Sequence, residues 1–171
     1  KPGSLTSTER VLDPRIFKSP QDWAKRLQSP DAAMNELLRA IYGDNASLRD
    51  EKRKRLLAAV ELFVERFGTD GLVTVIRAPG RVNLIGEHID YHDLPVLPVA
   101  MRSAIRAEFR PRADRMIRAT ARGYGHREFE WTAPLEPAPA GDWENYLRAA
   151  AQAVAGKWGI GRGADLEIDS A

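Results

Sequence analysis

At 171 residues, 43% hydrophobic and 29% charged, the sequence has the composition of a globular protein and the length of one domain with an appendage. Its 26 basic residues nearly balance 24 acidic ones, so the net charge of +2 does not mark a nucleic-acid or membrane binder. The absence of cysteine excludes disulfides, thiolate nucleophiles and zinc–sulfur sites, and it fits a cytoplasmic location. No apolar run approaches membrane-spanning length, and the opening Lys1-Pro2-Gly3 has no secretory hydrophobic core. Lys1 in place of Met, and a close on Ser170-Ala171 just after a strand-like run, both read as cut ends.

In chain order, residues 1 to 18 are polar and irregular. Ser19-Pro20-Gln21-Asp22 supplies an N-cap, a first-turn proline and a first-turn acid ahead of Trp23, Ala24 and Leu27. Ser29-Pro30-Asp31 repeats the device before Met34, Leu37, Leu38 and Ile41, and Gly43 stops that helix. Ser47 opens the longest predicted helix, whose stripe of Leu56, Leu57, Val60, Phe63, Val64 and Phe67 ends at Gly68. Extended runs follow: residues 72 to 76, ending at Pro79-Gly80, then 96 to 109, 116 to 122 and 127 to 132. A proline-rich loop from Pro134 to Gly141 leads to a helix capped by Asp142 and running to about Trp158. A glycine-rich turn, 159 to 163, precedes a last strand from Ala164 to Ile168. Helices first, then clustered strands with one packed helix, predict an α+β fold.

The segment Gly80-Arg81-Val82-Asn83-Leu84-Ile85-Gly86-Glu87-His88-Ile89-Asp90-Tyr91 carries the chemistry. Val82, Leu84 and Ile85 would anchor it while Arg81, Asn83, Glu87, His88 and Asp90 project into a pocket. Carboxylates and an imidazole suit sugar hydroxyls, and a guanidinium suits phosphate oxygens or developing negative charge. Composition alone leaves open both a sugar pocket and a capped turn with surface ion pairs.

The same twelve residues resemble the galactokinase signature of the GHMP kinase superfamily. Downstream, Trp143-Glu144-Asn145-Tyr146 is similar to the Trp-x-Asn-Tyr element with which galactokinases approach adenine. The resemblance runs from Leu72 to Ala171. It implies the GHMP-kinase N-terminal domain fold (ribosomal protein S5 domain 2-like) over residues 71–171, preceded by a helical N-terminal extension over residues 1–70. It implies transfer of the ATP γ-phosphoryl, with Mg²⁺ bridging phosphates, to the anomeric hydroxyl of galactose or a related aldose. Arg81 matches the arginine near the transferred phosphoryl, Glu87, His88 and Asp90 the residues on the sugar hydroxyls, and Trp143 and Tyr146 the adenine-side aromatics. Two departures stand out. His92-Asp93-Leu94-Pro95 replaces the usual Asn and Gly after the motif, and the Gly-Leu-x-Ser-Ser phosphate loop and the catalytic aspartate have no counterpart. The resemblance therefore implies a piece that is inactive alone and that associates with itself or with a missing C-terminal part. The alternatives are a catalytically silent sugar-binding regulator of the same fold and a basic nucleic-acid-binding module.

Other signals are weaker. Glu87, His88, Asp90 and His92 have the composition of a metal cluster but not the His-Glu order of zinc proteases. Gly156 to Gly163 follows a helix and precedes a strand, the reverse of a phosphate loop, and reads as a C-cap and connection. The arginines at 102, 106, 110, 112, 115, 118, 122 and 127 suggest either a nucleic-acid surface or, better, the solvated face of a sheet. Trp23, Trp131 and Trp158 read as core or half-buried anchors.

Overall fold

The computed structural model describes residue 13, residues 16–86, residues 89 and 92, and residues 94–170. These form four helices, α1 (Pro20–Gln28), α2 (Ala32–Tyr42), α3 (Ala46–Phe67) and α4 (Glu144–Trp158), and five strands, β1 (Thr74–Ile85), β2 (Leu97–Pro111), β3 (Met116–Ala121), β4 (Gly125–Glu130) and β5 (Ala164–Ser170). The architecture is α+β. The strands make a single sheet in the order β1-β2-β5-β3-β4, antiparallel except where β5 runs parallel to β3.

The helix starts follow side-chain chemistry. Ser19, Asp31 and Asn45 each accept a hydrogen bond from the backbone N–H three residues on, which satisfies a donor that the first turn leaves open. Asn45, not Ser47, opens α3, because its side-chain oxygen reaches Leu48 N at 3.0 Å. Asp142 does not cap α4 from the N-cap position, which Trp143 occupies, yet its Oδ1 accepts from Glu144 N at 3.0 Å.

The largest departure from the predicted elements is β1. It runs on through Pro79-Gly80 to Ile85, with a register shift between Pro79 and Arg81. Proline is tolerated there because β1 is an edge strand, so the missing N–H removes no inner ladder bond, and the irregularity takes up the misfit.

Period-two alternation gives the sheet two unlike faces. Ile117, Leu166, Phe129 and Trp131 pack on α4 through Ala151, Leu147 and Ala155. The opposite face meets α3, which also joins α1 and α2 in a cluster of Leu27, Met34, Leu38, Tyr42 and Val60 that Val75 of β1 completes. Trp23 is half-buried and donates Nε1–H to Val73 O at 2.9 Å. Trp131 is buried, but Trp158, at the end of α4, is 72% exposed and is not the core or half-buried anchor expected.

The β5 entry is tight. Gly163 lies so close to β3 that a Cβ there would sit 2.0 Å from Met116 O, and its own N–H donates to Asp114 O at 2.6 Å. Gly163→Ala is expected to lower stability by at least about 1–3 kcal/mol, read as a reduced urea midpoint, because backbone must move to admit the methyl.

Candidate functional site

Two regions hold the residues expected to act. The first is the far end of the β1–β2 hairpin. Arg81 stands on β1, exposed, with Ala100 as its Cα partner on β2. Two residues on, Asn83 buries an Oδ1 that has no hydrogen-bond partner among the described residues. Gly86 then turns the chain with φ 95°, and a Cβ there would lie 2.7 Å from Val96 Cγ1. Positive φ and close approach together require glycine at that neck. Beyond it, Ile89 N donates to Gly86 O at 3.2 Å and His92 N to Ile89 O at 3.0 Å. Glu87, His88 and Asp90 lie outside the described residues. No group of three or more potential metal-ligating side chains forms among the described residues.

The second region is an open cleft of about 950 Å³ at the start of α4, on the sheet face opposite α3. Its walls include Trp143 and Tyr146, with Ile105 and Ile168 from the sheet and Tyr124 and Arg127 from the β3–β4 ribbon. Trp143 is fixed: its Nε1–H donates to Tyr124 O at 3.1 Å, and the Arg127 guanidinium lies 5.9 Å from its ring. Arg127 also bonds Asp142, 3.1 Å from Nη2 to Oδ2. The backbone N–H of Glu144 and then Arg127 hold the Asp142 carboxyl below its ordinary range. Tyr146, 83% exposed, offers a bare ring to the cleft. Arg81 is not among the residues that line it.

Sequence reasoning missed a third feature, the charged seam between α3 and the sheet. Asp165 is buried on β5 and takes Arg110 at 2.6 Å, Arg112 at 2.9 Å and Arg118 at 2.7 Å. Asp169, also buried, takes Arg55 of α3 in a two-bond fork at 2.9 and 3.0 Å and Arg106 at 3.2 Å. Arg110 further donates to the Phe67 and Asp70 carbonyls, each at 2.7 Å, tying down the end of α3. The arginines read as a solvated sheet face are thus in part an internal network, and Arg106 is buried. The signal was present in the sequence: charges at 106, 108 and 110 and at 165, 167 and 169 alternate with period two on strands that pair.

Between Asp165 and Asp169 lies a carboxylate pair of another kind. Glu108 and Glu167 are Cα partners across β2 and β5, and both are buried. Both Glu108 oxygens lack partners among the described residues, and burial, together with the nearby Glu167, pushes its carboxyl up to about 7. Burial likewise pushes Glu167 up to about 6; Arg66 Nε lies 3.3 Å from it as an ion pair without hydrogen-bond geometry.

Comparison with known proteins meets this geometry at the hairpin. The family model of the galactokinase galactose-binding signature matches residues 61–111, from the second half of α3 through β1 and β2. Among solved structures, the crystal structure of Lactococcus lactis galactokinase complexed with galactose superposes with a TM-score of 0.61 at 30% identity, over 67% of this chain. The fold and the matched signature define a domain related to sugar kinases. The chain is galactokinase-like, with the fold of a galactokinase N-terminal domain, and it spans 30% of the length of that Lactococcus protein.

Proposed function

We propose that this chain is the sugar-recognising part of a galactokinase-like kinase that phosphorylates the anomeric hydroxyl of galactose or a related aldose. The observation that carries the reading is the galactose-binding signature match over residues 61–111, on a fold shared with a galactokinase at 30% identity. In this reading Glu87, His88 and Asp90 hold the sugar hydroxyls, because carboxylates accept from them and an imidazole can donate or accept. Arg81 meets the charge that develops on the transferred phosphoryl. Trp143 and Tyr146 form the adenine side. The open cleft with its bare Tyr146 ring supports that assignment, since a purine can stack there. ATP with phosphate-bound Mg²⁺ supplies the phosphoryl group when bound.

The division into a helical extension to residue 70 and a kinase-type domain from residue 71 belongs to the same reading. So do a cytoplasmic location and association with a C-terminal part or a second copy. Exposed Ile76, Val82, Leu84, Val99, Met101 and Ile105 on the β1–β2 hairpin support such association. Among the described residues no helix is long and apolar enough to cross a membrane.

Galactose binding to this chain, measured by calorimetry, tests the reading. Asp90→Ala removes a charge-assisted hydrogen bond and is expected to weaken binding by about tenfold or more. Equal affinity in both proteins, for every aldose tried, would count decisively against the assignment. A coupled assay with ATP is expected to show no sugar phosphorylation by these 171 residues alone, because the family's phosphate loop and catalytic aspartate have no counterpart among them. Sustained turnover would mean that the phosphates are held somewhere unforeseen.

A further inference from the structure

A small recess opens on the face of the sheet that meets α3, away from the cleft at α4. It is lined by Tyr42 of α2, Lys52 of α3, Arg77 of β1, and Arg102, Ala104 and Arg106 of β2. Four cations and a phenol ring thus surround a space that admits one water-sized group. Ala104, set between two arginines on the same face of β2, supplies the gap.

The cations are only partly compensated. Arg77 and Arg106 are Cα partners across β1 and β2, so two positive side chains stand directly opposite each other, an unfavourable pairing in a sheet. The Arg106 side chain is only 4% exposed, and Asp169 is the one hydrogen-bond acceptor of its guanidinium among the described residues. A guanidinium carries five N–H donors. Asp169 must also serve Arg55 at 2.9 Å and Arg122 at 3.6 Å, so one carboxylate is divided among three arginines. Arg77 lies over the Tyr42 ring at 5.7 Å and donates to backbone carbonyls, at 3.1 Å to Arg102 O and 3.5 Å to Met101 O, which fixes its direction without neutralising it. Lys52 has Glu51 at 3.3 Å, but that carboxylate is largely in water. A buried cation with unused donors, set among three others, is a site prepared for an anion.

We propose that this recess binds a phosphate group, either free phosphate or the phosphate of a small monoester. Guanidinium forks match phosphate oxygens, and a dianion offsets the charge that Asp169 leaves uncovered. The recess admits one oxygen inward and leaves the rest of the phosphate outside it, so the phosphate is the group recognised. The site does not rest on the sugar-kinase reading, and it uses none of the residues assigned there.

Inorganic phosphate titrated into the 171-residue chain, followed by calorimetry and by thermal unfolding at constant ionic strength, tests the proposal. The expected result is a saturable rise in Tm with phosphate that equal ionic strengths of chloride or acetate do not reproduce. Arg102→Gln, at an exposed position, and Arg77→Gln are each expected to weaken phosphate binding by about tenfold or more. Circular dichroism establishes that the variants are folded. Glucose 1-phosphate distinguishes the sources. Tighter binding than inorganic phosphate, lost in Arg102→Gln, assigns the site to a monoester, and equal binding assigns it to the free ion. Phosphate no better than acetate, or affinity unchanged in both variants, would overturn the proposal.

Discussion

Asp165→Ala is expected to lower the unfolding free energy by about 3–5 kcal/mol, as the loss of one partner from a buried ionic cluster does. The carboxylate is buried and takes charge-assisted bonds from Arg110, Arg112 and Arg118, at 2.6 to 2.9 Å. Burial by itself would raise its pKa, but the hydrogen bonds from Arg118, Arg110 and Arg112 outweigh that and hold it below the ordinary value. Removing it leaves three arginines facing one another under the end of α3, and Arg110 loses the anchor from which it reaches the Phe67 carbonyl. Urea unfolding by circular dichroism reads the effect directly. A loss of under about 1 kcal/mol, the range of an exposed ion pair, would show the cluster to be solvated.

The second large effect is in pH. Glu108 keeps its proton to about pH 7 in the folded protein, while an unfolded glutamate gives it up near 4.5. Between those values the unfolded chain ionises and the folded one does not, so stability falls as pH rises through this window and levels off above about 7. The difference between 4.5 and about 7 corresponds to about 3 kcal/mol. Glu167, raised to about 6, adds to the fall in the same direction. Asp165 and Asp169, both lowered, act oppositely, and their contribution is lost only on acidification below the ordinary aspartate range. The groups around Glu108 on the paired strands are Glu167, Asp169 and Arg106, and Arg66 of α3 lies against Glu167. The protein is therefore expected to be most stable at mildly acid pH. Glu108→Gln should raise Tm at pH 8 and flatten the profile between pH 5 and 8. A wild-type profile already flat over that range would show that Glu108 is ionised and paired.

The helices and strands were legible because their determinants are local. Caps at Ser19 and Asp31, stops at Gly43 and Gly68 and the apolar stripe of α3 are all written within a turn or two. The continuation of β1 past Pro79-Gly80 was not, since only the sheet order shows that Pro79 sits at an edge. The signature from Gly80 to Tyr91 was legible as a motif, and the comparison with the galactokinase signature places it within residues 61–111. The ionic seam could not be read as a unit, because it needs the pairing of β2 with a strand some sixty residues away, as in the contact from Arg106 to Asp169. Without that pairing, the arginines of β2 look like surface charge.

The position of β5 bears on how the molecule comes to exist at all. Residues 164–170 lie between β2 and β3, so the two hairpins β1–β2 and β3–β4 share no edge until this stretch slots between them. As the chain emerges from the ribosome, each ribbon waits with an unpaired inner edge, open to sticking to its neighbours. Joining them requires pairing β5 with β3 across 47 residues and with β2 across more than fifty, a slow and entropically costly event. The same seven residues deliver Asp165, Glu167 and Asp169, the counter-charges for the arginines already in place. β5 is at once zipper and neutraliser, and without it the chain would hold two separate ribbons studded with unmatched positive charge.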